Sequence, residues 1–141
     1  MKKGIGMTRH QLREQVFLIL FRADFYDEQG LKEQESLFTD GLKDASEEER
    51  VYIRTKYQAI MEILDEIDAV LNQSAAGWKT SRMGKAELTI LRLAVYEILY
   101  DEDIPTGVAI NEAVELSKKY GTEEASSFVN GILAKVAAEH S

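Results

Sequence analysis

Arg9 and Arg13 stand four residues apart with His10 beside the first of them, and Lys2 and Lys3 precede them on a glycine-containing stretch. On a helix that spacing puts both arginines on one face. Guanidinium forks match phosphate oxygens and can also stack on or bond to unpaired bases. The chemistry on offer is contact with the backbone of a single-stranded nucleic acid. Residues 1–22 carry five cations (Lys2, Lys3, Arg9, Arg13, Arg22) against Glu14, a net +4 inside a chain of net charge −8. The acidic average therefore hides a basic segment, and distribution outweighs the total. A second basic stretch runs from Lys79 through Arg82 and Lys85 to Arg92, opposed only by Glu87. Arg82 and Lys85 are its candidate phosphate contacts.

Other chemistry finds little support. The 141 residues include no cysteine, which removes disulfides, thiolate catalysis and Cys-ligated zinc. The two histidines, His10 and His140, lie at opposite ends of the sequence, and no metalloprotease, nucleophile-elbow, phosphate-loop or calcium-loop pattern occurs. Carboxylate pairs such as Glu62/Glu66 and Asp65/Asp68 read as a hydrated helix face. The expectation is a binding protein rather than an enzyme, with no cofactor and no metal. No stretch approaches the roughly 18 apolar residues of a membrane span, and residues 1–7 have no hydrophobic region behind their lysines. A cytoplasmic protein without membrane contact follows.

Helices must position these residues, because β-branched alternation is nearly absent and Pro105 is the one proline. Thr8 with Gln11 forms a capping box for a first helix, with Leu12, Val16, Ile19, Leu20 and Ala23 at helical spacing and Gly30 as its stop. A short helix is expected around 31–38. Ser46 with Glu49 makes a second capping box, and behind it Ile53, Tyr57, Ile60, Leu64, Ile67 and Leu71 form one stripe that fades near 74–77. From Lys85 to Tyr100 few polar faces remain, so this helix should lie near the centre of the fold. Thr106 is expected to cap a helix over about 107–120 that stops at Gly121. Thr122 caps the last helix, where Gly131 is expected to let another helix come close. The prediction is an all-α chain of six or seven helices.

The run from Glu87 to Leu99 (ELTILRLAVYEIL), then Ile104-Pro105, then Val108 to Gly121 (VAINEAVELSKKYG) and Phe128 to Leu133 (FVNGIL) closely resembles the NusB transcription antitermination family. Residues 9–21 are similar to the family's arginine-rich opening helix, which closes on a Leu-aromatic pair, here Leu20-Phe21. The resemblance is strong over 82–136, fair over 8–25 and weaker between. It implies a NusB-like fold of two packed helical subdomains, with 1–7 as a flexible basic tail and 8–141 as one RNA-binding domain. It also implies binding of boxA RNA together with the small-subunit ribosomal protein that doubles as Nus factor E, in an antitermination complex with RNA polymerase. The same fold occurs in certain RNA methyltransferases, whose catalytic domain finds no room in this length.

Carried onto this sequence, the resemblance marks Arg9, His10, Arg13 and Phe21 as RNA-binding. It places Glu124 and Phe128 near the RNA surface and Glu87 near the RNA and partner surfaces. Departures are His10 and Gln11 where arginines are usual, Leu18 where glutamine is common, and Ser127 where a lysine can precede the Phe. They imply RNA binding assisted by the partner protein. Asn111 and Glu112 read as packing and capping residues. The alternative from another class is a helical protein-interaction module or homodimer whose basic segment is incidental.

Overall fold

A computed structural model describes residues 6–75 and 83–140. The described residues form seven α-helices and no strand: α1 (Arg9–Ala23), α2 (Glu28–Asp40), α3 (Glu47–Glu62), α4 (Leu64–Ser74), α5 (Lys85–Leu99), α6 (Thr106–Tyr120) and α7 (Glu123–Glu139). The chain divides into two compact units, Met1–Met61 and Glu62–Ser141.

In the N-terminal unit, α1 starts at the expected capping box. Thr8 Oγ1 accepts from the Gln11 amide at 3.1 Å, and Gln11 Oε1 accepts from the Thr8 amide at 2.8 Å. Val16, Phe17, Ile19 and Leu20 are its buried face. The helix ends at Asp24 rather than at Gly30. Asp27 is the reason: its carboxylate accepts from the Gly30 amide at 3.0 Å and so caps α2, drawing Gly30 into that helix's first turn. With this cap α2 reaches 13 residues, beyond the expected 31–38, and closes on Gly41. Thr39, its buried residue, accepts from Arg54 Nη2 at 3.1 Å. The α3 start is the predicted reciprocal box: Glu49 Oε1 takes the Ser46 amide at 2.8 Å while Ser46 Oγ takes the Glu49 amide at 3.1 Å. Glu47, Glu48 and Glu49 place negative charge at the positive end of the helix dipole.

The stripe from Ile53 to Leu71 is buried at Ile53, Tyr57, Ile60, Ile67 and Leu71, but it is not one helix. Ile63, at φ −121° and ψ 26°, separates α3 from α4. The break falls beside the Met61–Glu62 boundary, where the chain leaves one core for the other. Periodicity carries across because each half of the stripe still faces a core.

In the C-terminal unit α5 packs against α4, α6 and α7. Leu88, Ile90, Leu91, Leu93, Ala94 and Val95 are all buried, which makes it the central helix of this unit. Arg92 ties it to α4 by a two-bonded pair with Asp68, at 2.8 Å and 2.7 Å. Ser74 Oγ donates to Glu139 Oε1 at 2.8 Å, joining α4 to α7. Pro105, not Thr106, stands at the N-cap of α6; its carbonyl accepts from the Ala109 amide at 3.0 Å, and Thr106 is the first helical residue. Proline's fixed φ suits that extended position. Thr122 caps α7 as expected, accepting from the Ala125 amide at 3.1 Å.

Two glycines behave in opposite ways. A Cβ on Gly121 would lie 2.9 Å from the Ser117 carbonyl oxygen, so the turn from α6 to α7 requires glycine. A Cβ on Gly131 would meet nothing within 4 Å, and the residue is exposed. The expected close helix is therefore not found at Gly131 among the described residues. The position lies on the outer row of α7, opposite the buried row of Val129, Ile132, Leu133 and Val136.

Candidate nucleic-acid interface

The first turn of α1 presents Arg9 and His10 on the surface of the described N-terminal unit. The Met7 amide donates to Glu49 Oε2 at 2.7 Å, which fixes where α1 begins against the start of α3. Arg9 and His10 follow, both exposed, and the first turn of the helix itself contains no acid. Lys2 and Lys3 fall outside the described residues.

Arg13 differs from Arg9 although the two share a helix face. It is only 5 % exposed. Val16, Phe17 and Leu20 follow it by three, four and seven residues and are themselves buried, so Arg13 heads the apolar row that faces the core. Arg9, one turn earlier, lies beyond what covers that row. The structure thus offers Arg9 and His10 to a ligand directly and assigns Arg13 to the inner face of the same helix.

Phe21 continues outward. Its ring stacks on Phe17 at 5.9 Å and meets Phe25 edge-on at 5.5 Å. The three rings form a ladder from the buried Phe17 through the half-buried Phe21 to the exposed Phe25. Beside it the Arg22 guanidinium lies over the Phe38 ring at 5.5 Å. Phe25 was missing from the sequence-derived candidates; its signal was the four-residue repeat of Phe17, Phe21 and Phe25.

In the C-terminal unit Lys85 is exposed in the first turn of α5, and Arg92 pairs with Asp68. Arg82 lies outside the described residues. Glu87 turns back on its own helix, its Oε1 accepting from the Gly84 amide at 3.2 Å, so part of its carboxylate serves as a cap. Glu124 is exposed in the first turn of α7, and Phe128, half-buried, sits one turn further along the same face. Beside this face α6 and α7 enclose an open groove of about 500 Å³. Ile110 and Val114 line it with Asn111, Lys118, Ser127 and Asn130. Asn111 is exposed there rather than packed. The hydroxyls of Ser117 and Ser126 meet at 2.9 Å in the buried seam between the two helices.

Burial, and secondarily the charge of Glu35, raise the Tyr57 hydroxyl above its ordinary value of 10.0. No group of three or more His, Cys, Asp or Glu among the described residues could hold a metal ion. No described helix is long and apolar enough to cross a membrane.

Comparison with known proteins bears on what this arrangement serves. The NusB family model matches residues 10–138. The transcription antitermination protein NusB of Agathobacter rectalis is 54% identical over 131 residues, covering 93% of this chain and 100% of that protein. Its counterpart in Lachnoclostridium phytofermentans is 48% identical over 130 residues, covering 92% and 98%. Among solved structures, T. maritima NusB superposes with a TM-score of 0.84 at 34% identity, covering 96% of this chain and 94% of that one. A structure of the antitermination factors NusB and NusE in complex with double-stranded RNA superposes with a TM-score of 0.81 at 26% identity, covering 94% and 99%.

Proposed function

The chain belongs to the NusB family, and we propose that it is a transcription antitermination protein that binds boxA-type RNA together with NusE, the small-subunit ribosomal protein. The observation that carries this reading is likeness over nearly the whole chain, both to NusB proteins and to the NusB of a NusB–NusE–RNA complex. The protein acts by binding, not catalysis, in the cytoplasm, as an adaptor in an antitermination complex with RNA polymerase. Residues 8–141 serve as the RNA-binding domain, with 1–7 a basic tail that adds phosphate contacts through Lys2 and Lys3.

Arg9 supplies positive charge and His10 a ring that can hydrogen-bond at the helix start, and Phe21 supplies a partly exposed ring for a base. Arg13 holds the helix that presents them. Lys85 and Arg82 extend the phosphate track, while Glu124 and Phe128 flank the RNA. Glu87 faces the partner protein with the carboxylate oxygen its cap leaves over. Arg9→Ala should weaken boxA RNA binding at every salt concentration and reduce the slope of log affinity against log salt by about one. Phe21→Ala should cost about 1–3 kcal/mol of RNA affinity if the ring stacks on a base. The measurement is RNA affinity across a salt series, with and without NusE. Arg9→Ala and Phe21→Ala both binding like the parent under both conditions would overturn the N-terminal site. Light scattering in the same series should show a monomer; a dimer that RNA leaves intact would favour the interaction module instead.

A further inference from the structure

A second surface of the N-terminal unit has the wrong charge for RNA. Tyr26 and Leu37 are 43% and 57% exposed, large apolar side chains left in water. Tyr26 lies against α2, since a Cβ on Gly30 would touch its ring at 3.3 Å. Leu37 follows Gly30 by seven residues, which returns it to the same face about 10 Å along the axis. Glu33 precedes Leu37 by four residues and Asp40 follows it by three, so both flank it on that face, and both are exposed. Two of the other carboxylates nearby have work elsewhere: Asp27 caps α2, and Glu35 accepts from Gln58 at 2.7 Å with Arg54 at 3.7 Å. From Asp24 to Asp40 there are six acids and one cation, Lys32, a net −5, and Lys32 points to another side of α2. The face is therefore an apolar row bordered on one side by Glu33 and Asp40, with Arg22 over the Phe38 ring on the other.

We propose that this face of α2, from Tyr26 to Asp40, docks a cationic amphipathic helix of a protein partner. An exposed apolar row on a small protein commonly marks an interaction site. Apolar side chains two turns apart on an incoming helix match the Tyr26-to-Leu37 spacing, in the manner of anchors at i, i+3, i+4 and i+7. Lysine or arginine beside those anchors meets Glu33 and Asp40, which steers and orients the encounter. RNA is disfavoured there, because Glu33 and Asp40 on the edge of the row repel phosphate. A second copy docked face to face would set Glu33 and Asp40 against the same acids, so an isologous dimer is disfavoured too.

The test is a titration of the isotopically labelled full chain, followed by amide shifts in NMR. The probe is an amphipathic helical peptide of about 18 residues with leucine on one face and lysine on the other, long enough to span the row. The expected result is shifts concentrated in residues 25–41, and binding that weakens as salt rises from about 0.05 to 0.3 M. Leu37→Ser should reduce affinity roughly tenfold, as loss of a central apolar anchor does. The pair Glu33→Gln with Asp40→Asn should reduce it roughly fivefold and remove most of the salt dependence. All three positions are exposed, so the variants keep the fold, and boxA RNA binding should be unchanged in each. A peptide of the same leucine spacing with glutamate in place of lysine should produce no shifts. Equal binding by Leu37→Ser and parent would overturn the proposal. So would shifts spread across other acidic helices, or shifts that depend on protein concentration without peptide.

Discussion

The two units of this chain spend their apolar residues differently. Among the described residues, Phe25, Tyr26, Leu37, Val51 and Tyr52 of the N-terminal unit remain exposed, against Tyr100 and Val108 of the larger C-terminal one. The C-terminal unit wraps α5 in three helices, whereas α2 of the N-terminal unit buries Thr39 alone. Stability is concentrated in the first arrangement and available surface in the second. A protein that assembles with others needs both.

Core truncation is the strongest way to break this comparison. Leu91→Ala on α5 should cost about 2–5 kcal/mol of unfolding free energy, whereas Leu37→Ala on α2 should stay within about 0.5 kcal/mol. Urea unfolding of both variants reads the difference, and equal losses would mean that α2 is packed as tightly as α5. Ion pairs should divide along the same line. Asp68→Asn strips the two-bonded Arg92 of its charge partner and should cost about 1.5–3 kcal/mol. Glu35→Gln disturbs the looser contact to Arg54 and should cost under about 1 kcal/mol. Helix starts should treat the units alike, since Ser46→Ala and Thr122→Ala each remove one side-chain cap worth about 1 kcal/mol. Gly131→Ala should stabilise by about 0.5–1 kcal/mol, because the added methyl group meets nothing and the helix loses a flexible residue. A loss there on thermal melting would show that something packs on that row after all.

The least effect is confined to high pH. Tyr57 keeps its proton above 10.0 in the folded chain, while the unfolded chain releases it near that value. Between the two values the unfolded state binds fewer protons, so stability is intact below pH 10 and falls as pH rises beyond it. Tyr57→Phe should flatten that decline in pH-dependent unfolding.

Much of this was legible in the residues. The caps at Thr8, Ser46 and Thr122 depend on a side chain and an amide three residues apart, which is local geometry. The apolar density of Lys85 to Leu99 announced a helix covered on all sides, and the ordered run from Glu87 to Leu133 carried the family. Errors arose where two local signals competed. Gly30 looked like a stop until Asp27 took it as the amide it caps, and Thr106 looked like a cap although Pro105 fills that place.

What the sequence determined by itself is therefore the helices, their starting points, their apolar rows and the family. Tertiary structure alone decided that Arg13 faces inward while Arg9 stays open. It also decided that Arg92 is bound to Asp68, that the stripe from Ile53 to Leu71 is split between two helices at Ile63, and that the row of Gly131 is uncovered. The physical reason is common to all four. Periodicity tells which side chains share a face, but only packing tells what, if anything, lies against it.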